Sequence, residues 1–410
     1  MKKELNLTAF ILLLLLSACT TETATPFMVP DKTTQHEVLP TVTPPPATAS
    51  IIPTLIATEW SALTGWMDDD LLSVWHAFLH SCTALSKQAL WKETCTAAVS
   101  LQQPDNVTLR HFFETHFVPH QVLNKDGSDS GLITGYYEPL LHGSRKPSKR
   151  YRYPLHTTPD GLLSIDLGEF HPELKDMKIR GRLEGGKIVP YYTRAEIVNN
   201  PKILRRHEFL WVDDEIELFF LQIQGSGRIV LENGKVLKIG YAEQNGYPYS
   251  SIGKLLVQRG ELPLERASMQ GIKHWGQQNP DKLDELLQQN SRYIFFRELP
   301  SKLSGPLGSL GVPLTAGRSI AVDPRTIPQG APVFLATTWP NSDKQLHRLM
   351  VAQDTGSAIK GNVRADFFWG FGQEAGNQAG KMKQKGKMWV LMPHGYTLPI
   401  LAQQQNEPAK

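Results

Sequence analysis

The stretch RSIAVDPRTIPQGAPVFLATTWPNSDKQLHRLMVAQDTGSAIKGNVRADFFWG, residues 318–370, decides the architecture. Its runs RSIAVD, PVFLATT and RLMVAQD are rich in β-branched and apolar residues and are separated by Gly, Pro, Asn and Asp. YIFFREL (293–299) precedes them and KMWVLM (387–392) follows. Short strands at this spacing predict a closed or nearly closed β-barrel running from Tyr293 to Met392. Three aspartates punctuate it: Asp323, Asp354 and Asp366. Carboxylates held on strands suit cleavage of a glycosidic bond, whose leaving oxygen must be protonated as the bond breaks.

Upstream, residues 66–120 carry helical periodicity, with Leu71, Trp75, Phe78, Cys82 and Leu85 on one face and breaks at Pro104 and Pro119. GLITGYYEPLL (131–141) reads as a strand that enters a site. Residues 144–245 are strand-like throughout, including FFLQIQGSGRI (219–229), and Asn233-Gly234 marks a two-residue hairpin turn. Gly225 and Gly227 flank Ser226 where a ligand could approach the backbone. Helices return from Ser251 to Asn290, with Pro280 as a first-turn proline behind an Asn279 N-cap. The texture predicts a mainly β chain with helical segments. A discontinuous barrel domain spans 59–142 plus 246–398, an inserted β domain spans 143–245, and a tail spans 399–410.

The first residues form a targeting signal. Lys2 and Lys3 precede an apolar run from Phe10 to Leu16, which is shorter than the roughly 20 residues needed to span a bilayer. Leu16-Ser17-Ala18-Cys19 resembles a lipobox, which implies a signal peptide over 1–19 and a lipidated Cys19. Thr20 is not the aspartate that retains such proteins in the inner membrane, so the expected location is the outer membrane, facing the periplasm. A linker follows over 20–58. Ten Thr and seven Pro between residues 20 and 54 leave no core to bury. Extended, that stretch reaches about 100 Å.

The full sequence has an ordinary globular composition, 40% hydrophobic and 20% charged, with a net charge of +3. No basic stripe, zinc-finger spacing or phosphate loop is present, which argues against nucleic acid and nucleotide partners. No cofactor or metal is implied. With Cys19 assigned to lipid, Cys82 and Cys95 are either a disulfide of an oxidising compartment or two buried thiols.

Five motifs carry a resemblance: TGYYEP (134–139), QIQGSGR (222–228), YAEQNGYPYSSIGK (241–254), GVPLTAGRSIAVDPRTIP (311–328), and QDTGSAIKG followed by ADFFWG. In this order they resemble the membrane-bound lytic murein transglycosylase A family. The resemblance implies a double-psi β-barrel carrying the three aspartates, an inserted β domain, and a groove between them for peptidoglycan strands. It implies cleavage of the bond between N-acetylmuramic acid and N-acetylglucosamine without water, with the position of Asp366 catalytic and Asp354 and Asp323 supporting. Ser357 departs from the family pattern, which has a second glycine there. Expected substrate contacts are Tyr136, Tyr137, Glu138, Gln224, Ser226, Gly227 and Lys360, with one of the two tyrosines turned inward by strand alternation. Endo or exo action, and any cell-wall synthesis or divisome partner, are not specified by these residues.

Three rivals stand beside that reading. Asp354-Thr355-Gly356-Ser357 resembles an aspartic protease tetrad, with Asp129-Ser130-Gly131 as its second half. A non-catalytic glycan-binding lipoprotein could use the same barrel. An ordinary hydrolase would use Asp366 as acid and Asp354 to activate water.

Overall fold

The computed structural model describes residues 54–174 and 177–397. The lipobox with Cys19, most of the linker and the tail lie outside the described residues. In chain order, β1 (Leu55–Ala57) leads to helices α1 (Leu72–Leu85), α2 (Ala89–Ser100) and α3 (Asn106–His116), then β2 (Phe117–Val122) and β3 (Gly131–Glu138). The middle of the chain holds β4 (Leu140–Ser144), β5 (Tyr153–His156), β6 (Leu163–Asp166), β7 (Lys178–Glu184), β8 (Lys187–Pro190), α4 (Arg194–Asn199) and β9 (Glu208–Val212). It continues through α5 (Glu215–Gln224), β10 (Ser226–Leu231), β11 (Val236–Gln244), α6 (Ile252–Gln258), α7 (Met269–Gln278), α8 (Pro280–Gln288) and β12 (Ile294–Leu299). The return comprises β13 (Ser319–Val322), β14 (Pro332–Thr338), β15 (Gln345–Asp354), β16 (Arg364–Phe371), α9 (Gly372–Lys381) and β17 (Lys383–Pro393).

Six of these strands close a ring in the order β17-β14-β15-β13-β16-β3, sealed by antiparallel pairing of β3 with β17. Two neighbouring pairs are parallel, β13 with β15 and β16 with β3. Such pairs need long crossovers, and the chain supplies them as residues 323–344, which include β14, between β13 and β15, and as everything from β4 to β15 between β3 and β16. The strands are buried on both sides, because the barrel interior takes one face and the N-terminal helices cover part of the other. Val333, Phe334, Met350, Phe367 and Val390 join Phe78, Phe113 and Phe117 in one core. Near-continuous apolar runs such as PVFLATT follow from that double burial.

Helix α1 buries Val74, Trp75, Ala77, Phe78, Ser81, Cys82 and Leu85, the i, i+3, i+4 stripe that makes it helical. A disulfide joins Cys82 to Cys95 of α2. Closing a loop of this size stabilises by about 3 kcal/mol. Just before α1, Asp69 receives two hydrogen bonds from the Arg318 guanidinium, each 2.8 Å, and one from the Leu349 backbone N–H at 2.6 Å. Arg318 also donates to the Leu349 and Asp70 carbonyls, so this buried pair is fully satisfied. It pins the helical layer to the barrel.

Several sequence expectations change. YIFFREL is not a barrel strand: β12 pairs antiparallel with β11 and completes the second sheet, ordered β12-β11-β10-β4-β9-β5. Helices α6, α7 and α8 pack with α5 around Phe219, Phe220, Leu256, Trp275 and Leu286. The segment inserted into the barrel therefore extends from β4 to β12, and the boundary expected at 245/246 falls after Leu299. FFLQIQ is helix, because an unbroken apolar run fits a buried strand or a buried helix equally. Asp214, which accepts from the Glu217 N–H, starts α5, and Gly225 at φ +80 ends it. The helical stretch stops at His116, so Pro119 lies in β2. The Asn233-Gly234 hairpin has a three-residue loop: only Gly234 takes positive φ, and Leu231 N–H reaches the Lys235 carbonyl. Pro280 opens α8 as expected, but the Asn279 side chain donates to the Trp275 carbonyl and does not cap.

Removing one member of a buried ion pair leaves the other charge uncompensated. Asp69→Asn is expected to lower unfolding free energy by about 3–5 kcal/mol. A urea titration followed by tryptophan fluorescence checks this, and an unmoved midpoint contradicts it.

Candidate active site

Strand β13 sits between β15 and β16, and one of its residues organises the site. Ala321 pairs with Asp354 on one side and with Asp366 on the other. Asp366 in turn pairs with Thr134 of β3. The result is a row across four strands, Asp354–Ala321–Asp366–Thr134, on one face of the sheet. Strand spacing puts the two aspartate backbones about 10 Å apart, with only a methyl group between them. The row depends on a bulge. Ile320 pairs with Ala352, but Ala321 pairs with Asp354, so Gln353 is an extra residue in β15. A regular ladder would put Gln353 opposite Ala321 and turn Asp354 to the other face. Gln353 is fully buried and donates to Ala77 O (2.7 Å) and Ser81 Oγ (3.0 Å) of α1, while its Oε1 accepts from Ser319 Oγ.

The three aspartates differ in state. Asp366 is half-buried and accepts a 2.6 Å hydrogen bond from Thr134 Oγ1. Thr134 Oγ1 itself accepts from Arg364 Nη2 at 2.9 Å. Burial pushes the Asp366 carboxyl above the ordinary carboxylate range, with Thr134 and Arg364 opposing. Asp354 Oδ1 accepts from the Ser309 and Thr355 N–H groups, both at 2.9 Å, and Oδ2 accepts from Tyr136 Oη at 3.0 Å. Burial nonetheless pushes its pKa up to about 6, and the negative charge of Asp366 adds to the effect. Tyr136, raised well above its usual value by burial and then by both aspartates, is a neutral donor.

Asp323 is 2% exposed and tied down. Arg325 Nε (2.9 Å) and Nη2 (2.6 Å), together with the Arg325 and Gly361 N–H groups, all donate to its carboxylate. Led by the Arg325 side chain, these bonds hold it well below the usual range. Through Gly361 it fixes the end of the loop that follows Asp354.

A cleft of about 880 Å³ opens over the row. The barrel side supplies Gly135, Tyr136, Ser309, Asp354, Lys360 and Asp366, and the inserted segment supplies Gln224, Ser226, Tyr241, Gln244, Arg292 and Arg297. Ser357 also lines it, and its φ is not positive, so serine fits the turn where the family has glycine. Of the residues expected to contact a ligand, Tyr136, Gln224, Ser226 and Lys360 line the cleft. Tyr137, Glu138 and Gly227 do not. Tyr137 alternates to the other face of β3, packs on Ala375 and Ala379 of α9, and donates to Met269 Sδ at 3.3 Å. Glu138 is 1% exposed and accepts from Arg228 Nε and Nη2, both at 3.3 Å. Gly227 serves close packing: a Cβ there would lie 2.4 Å from Leu221 and 2.9 Å from the Pro139 carbonyl. Asp129 pairs with Lys387 at 2.7 Å outside the cleft, which removes the second half of the protease reading.

Sequence reasoning missed Thr134, Ser309, Tyr241, Gln244, Tyr249, Arg292 and Arg297. Period-2 alternation from Tyr136 could have given Thr134, and Tyr241, Gln244 and Tyr249 stand inside a quoted motif. The two arginines had no local signal, because their place depends on β12 joining β11.

Comparison with known proteins accords with this arrangement. The family model described as the MltA specific insert domain matches residues 132–297, and that of the 3D domain matches residues 318–392. Membrane-bound lytic murein transglycosylase A of Escherichia coli is 32% identical over 278 residues, covering 66% of this chain and 68% of the relative. The crystal structure of MltA from Neisseria gonorrhoeae superposes with a TM-score of 0.74 at 39% identity, covering 84% of this chain and 93% of that one. E. coli MltA with bound chitohexaose superposes at 0.62 and 26% identity, covering 79% and 91%.

The raised Asp354 pKa carries a stability signature. A carboxyl whose folded pKa lies above its unfolded value stabilises the fold when protonated, and that contribution is lost as pH rises through the folded value. Asp354→Asn should therefore melt higher than the parent above about pH 6, with the gap closing below about pH 4. Calorimetry across that range decides it; a gap independent of pH would refute the assignment.

Proposed function

The chain belongs to the membrane-bound lytic murein transglycosylase A family, and on that premise we propose that Asp366 breaks the glycan bond, first as acid and then as base. As a family member it is a peptidoglycan-cleaving lyase associated with a membrane. In the proposed reaction, protonated Asp366 donates to the oxygen linking N-acetylmuramic acid to N-acetylglucosamine, and the muramyl C1 becomes oxocarbenium-like. The carboxylate left behind takes the proton of the same sugar's 6-hydroxyl as that oxygen attacks C1. A 1,6-anhydro ring closes, no water is consumed, and Asp366 is protonated again.

The observation that carries this reading is the unequal engagement of the two carboxylates. Asp366 faces the cleft with one side-chain donor, Thr134. Asp354 has both oxygens occupied by three donors, which suits a fixed charge and not activation of water. That speaks against the two-carboxylate hydrolase. Asp354, with Tyr136, would stabilise positive charge on the sugar ring and raise the proton affinity of Asp366. Thr134 and Arg364 would steady the carboxylate between the two proton transfers. Tyr136, Gln224, Ser226 and Lys360 would contact sugar. Asp323 would hold the loop and take no part in the chemistry.

Chitohexaose, bound by the E. coli relative, is a β-1,4-linked N-acetylglucosamine chain and fits the proposed glycan groove. For location we propose a lipidated Cys19 in the outer membrane, with the catalytic part in the periplasm. The Cys82–Cys95 disulfide supports an oxidising compartment.

Mass spectrometry of murein digested by the soluble part of the chain should give anhydro-muramyl ends, one water lighter than reducing ends. Asp366→Asn should reduce cleavage by about 10³-fold or more while still pelleting with murein. Hydrated ends would establish hydrolysis, and undiminished turnover by the variant would remove Asp366 from the chemistry. Asp354→Asn makes a separate prediction. Without its negative neighbour Asp366 loses its proton more readily, so the alkaline limb of the rate profile moves to lower pH. A limb that stays in place or moves up contradicts the coupling.

A further inference from the structure

The cleft carries positive charge as well as the aspartate row. Arg292 and Arg297 line it from the inserted segment, and Lys360 lines it from the barrel. None of the three side chains makes a hydrogen bond or salt bridge among the described residues. The acid whose charge acts on Arg292, Glu243, is already committed. Glu243 accepts from Arg180 Nη2 (3.1 Å), Tyr241 Oη (3.0 Å) and the Gln244 N–H (3.0 Å). Arg292 is half-buried, and a partly desolvated guanidinium without a partner forgoes hydrogen bonds that water would otherwise supply.

The backbone beneath Arg292 is held by an unusual concentration of buried polar groups. Arg194, 6% exposed, donates to the carbonyls of Asn290 (3.0 Å) and Arg292 (2.7 Å). Asn245, fully buried, donates to the Ser291 carbonyl and accepts from the Tyr293 N–H, both at 2.8 Å. Asn290, 2% exposed, accepts from the Arg292 N–H at 3.3 Å. Satisfied buried networks of this kind make a segment rigid. Here the rigid segment presents a cation whose side chain bonds to nothing among the described residues. Beside it, Gln244 Oε1 is buried without a donor, which adds an acceptor for an N–H group.

We propose that Arg292 and Arg297, with Lys360 across the cleft, form a subsite for the carboxylate that distinguishes muramic acid from N-acetylglucosamine. The proposal rests on the glycan reading above and deepens it. An N-acetylglucosamine polymer is neutral, whereas muramic acid carries a lactyl ether that ends in a free carboxylate or continues as a stem peptide with its own carboxylates. A fixed guanidinium recognises either through paired N–H donors. A neighbouring amide acceptor suits the N–H of an adjoining acyl or peptide group. The subsite would set the register of the strand, so that the bond reaching Asp366 is one with muramic acid on the correct side.

The test uses the non-cleaving Asp366→Asn protein and calorimetric titration with three ligands: chitohexaose, murein glycan stripped of peptide, and murein glycan bearing stem peptides. Arg292→Gln with Arg297→Gln should weaken acidic ligands by about tenfold or more and flatten their salt dependence, while changing chitohexaose binding less than about twofold. Loss on the stripped glycan identifies the lactyl carboxylate, and loss only on the peptide-bearing glycan identifies the stem. Arg292→Lys, which keeps charge, should recover part of the affinity. Equal loss on all three ligands, or no loss on either acidic one, overturns the subsite while the glycan reading stands. If the starting Asp366→Asn protein binds none of the three ligands, the glycan reading fails and the subsite with it.

Discussion

Gln353 is one residue more than the β13–β15 ladder can pair, and the surplus turns Asp354 onto the face that carries Asp366. A bulge relaxes unless something holds its extra residue, and here the hold comes from outside the barrel. Helix α1 supplies a carbonyl and a hydroxyl that accept from the Gln353 amide, and Ser319 closes the set. Helix α1 is in turn fixed by the disulfide to α2 and by the buried Asp69–Arg318 pair beside it. The N-terminal helices contribute no side chain to the cleft, yet the direction of Asp354 rests on them.

One residue type occupies three electrostatic environments within a few turns of chain. Asp323 is wrapped by Arg325 and backbone donors, so its charge is strongly favoured. Asp354 has two backbone donors and a phenol against the cost of burial, and ionises only near neutrality. Asp366 has a single hydroxyl donor, with its nearest cation one group removed behind Thr134. The number and kind of donors, and not the carboxyl itself, set how readily each of the three ionises.

The barrel was legible because its strands carry their own signals. RSIAVD, PVFLATT, RLMVAQD and KMWVLM all occur as barrel strands, Asp323 and Asp354 fall where the first and third of these runs stop, and Asp366 lies near the start of β16. Most of the inserted segment was not legible in the same way. The apolar run of α5 has no periodicity that separates helix from strand, and β12 resembles the barrel strands that follow it while pairing with β11. The sequence places Tyr136, Tyr137 and Glu138 together in one motif, without telling which of them faces a ligand. Only the partners across β3, Met269 and α9 for Tyr137 and Arg228 for Glu138, decide which side chain reaches the cleft. The arginine wall was invisible for the same reason: it is assembled by pairing between distant segments.

The seam between β3 and β17 joins Gly131–Thr134 to Lys383–Gly386, on either side of the inserted segment. The ring cannot close until the last strand has left the ribosome. Thr134, the terminal member of the aspartate row, lies within that seam. Contacts so remote in sequence form late, after the local helices and hairpins. A chain still emerging from the ribosome can therefore hold its insert and helices before it has a complete row. A peptidoglycan-cleaving enzyme built this way lacks a complete aspartate row until its last strand is in place.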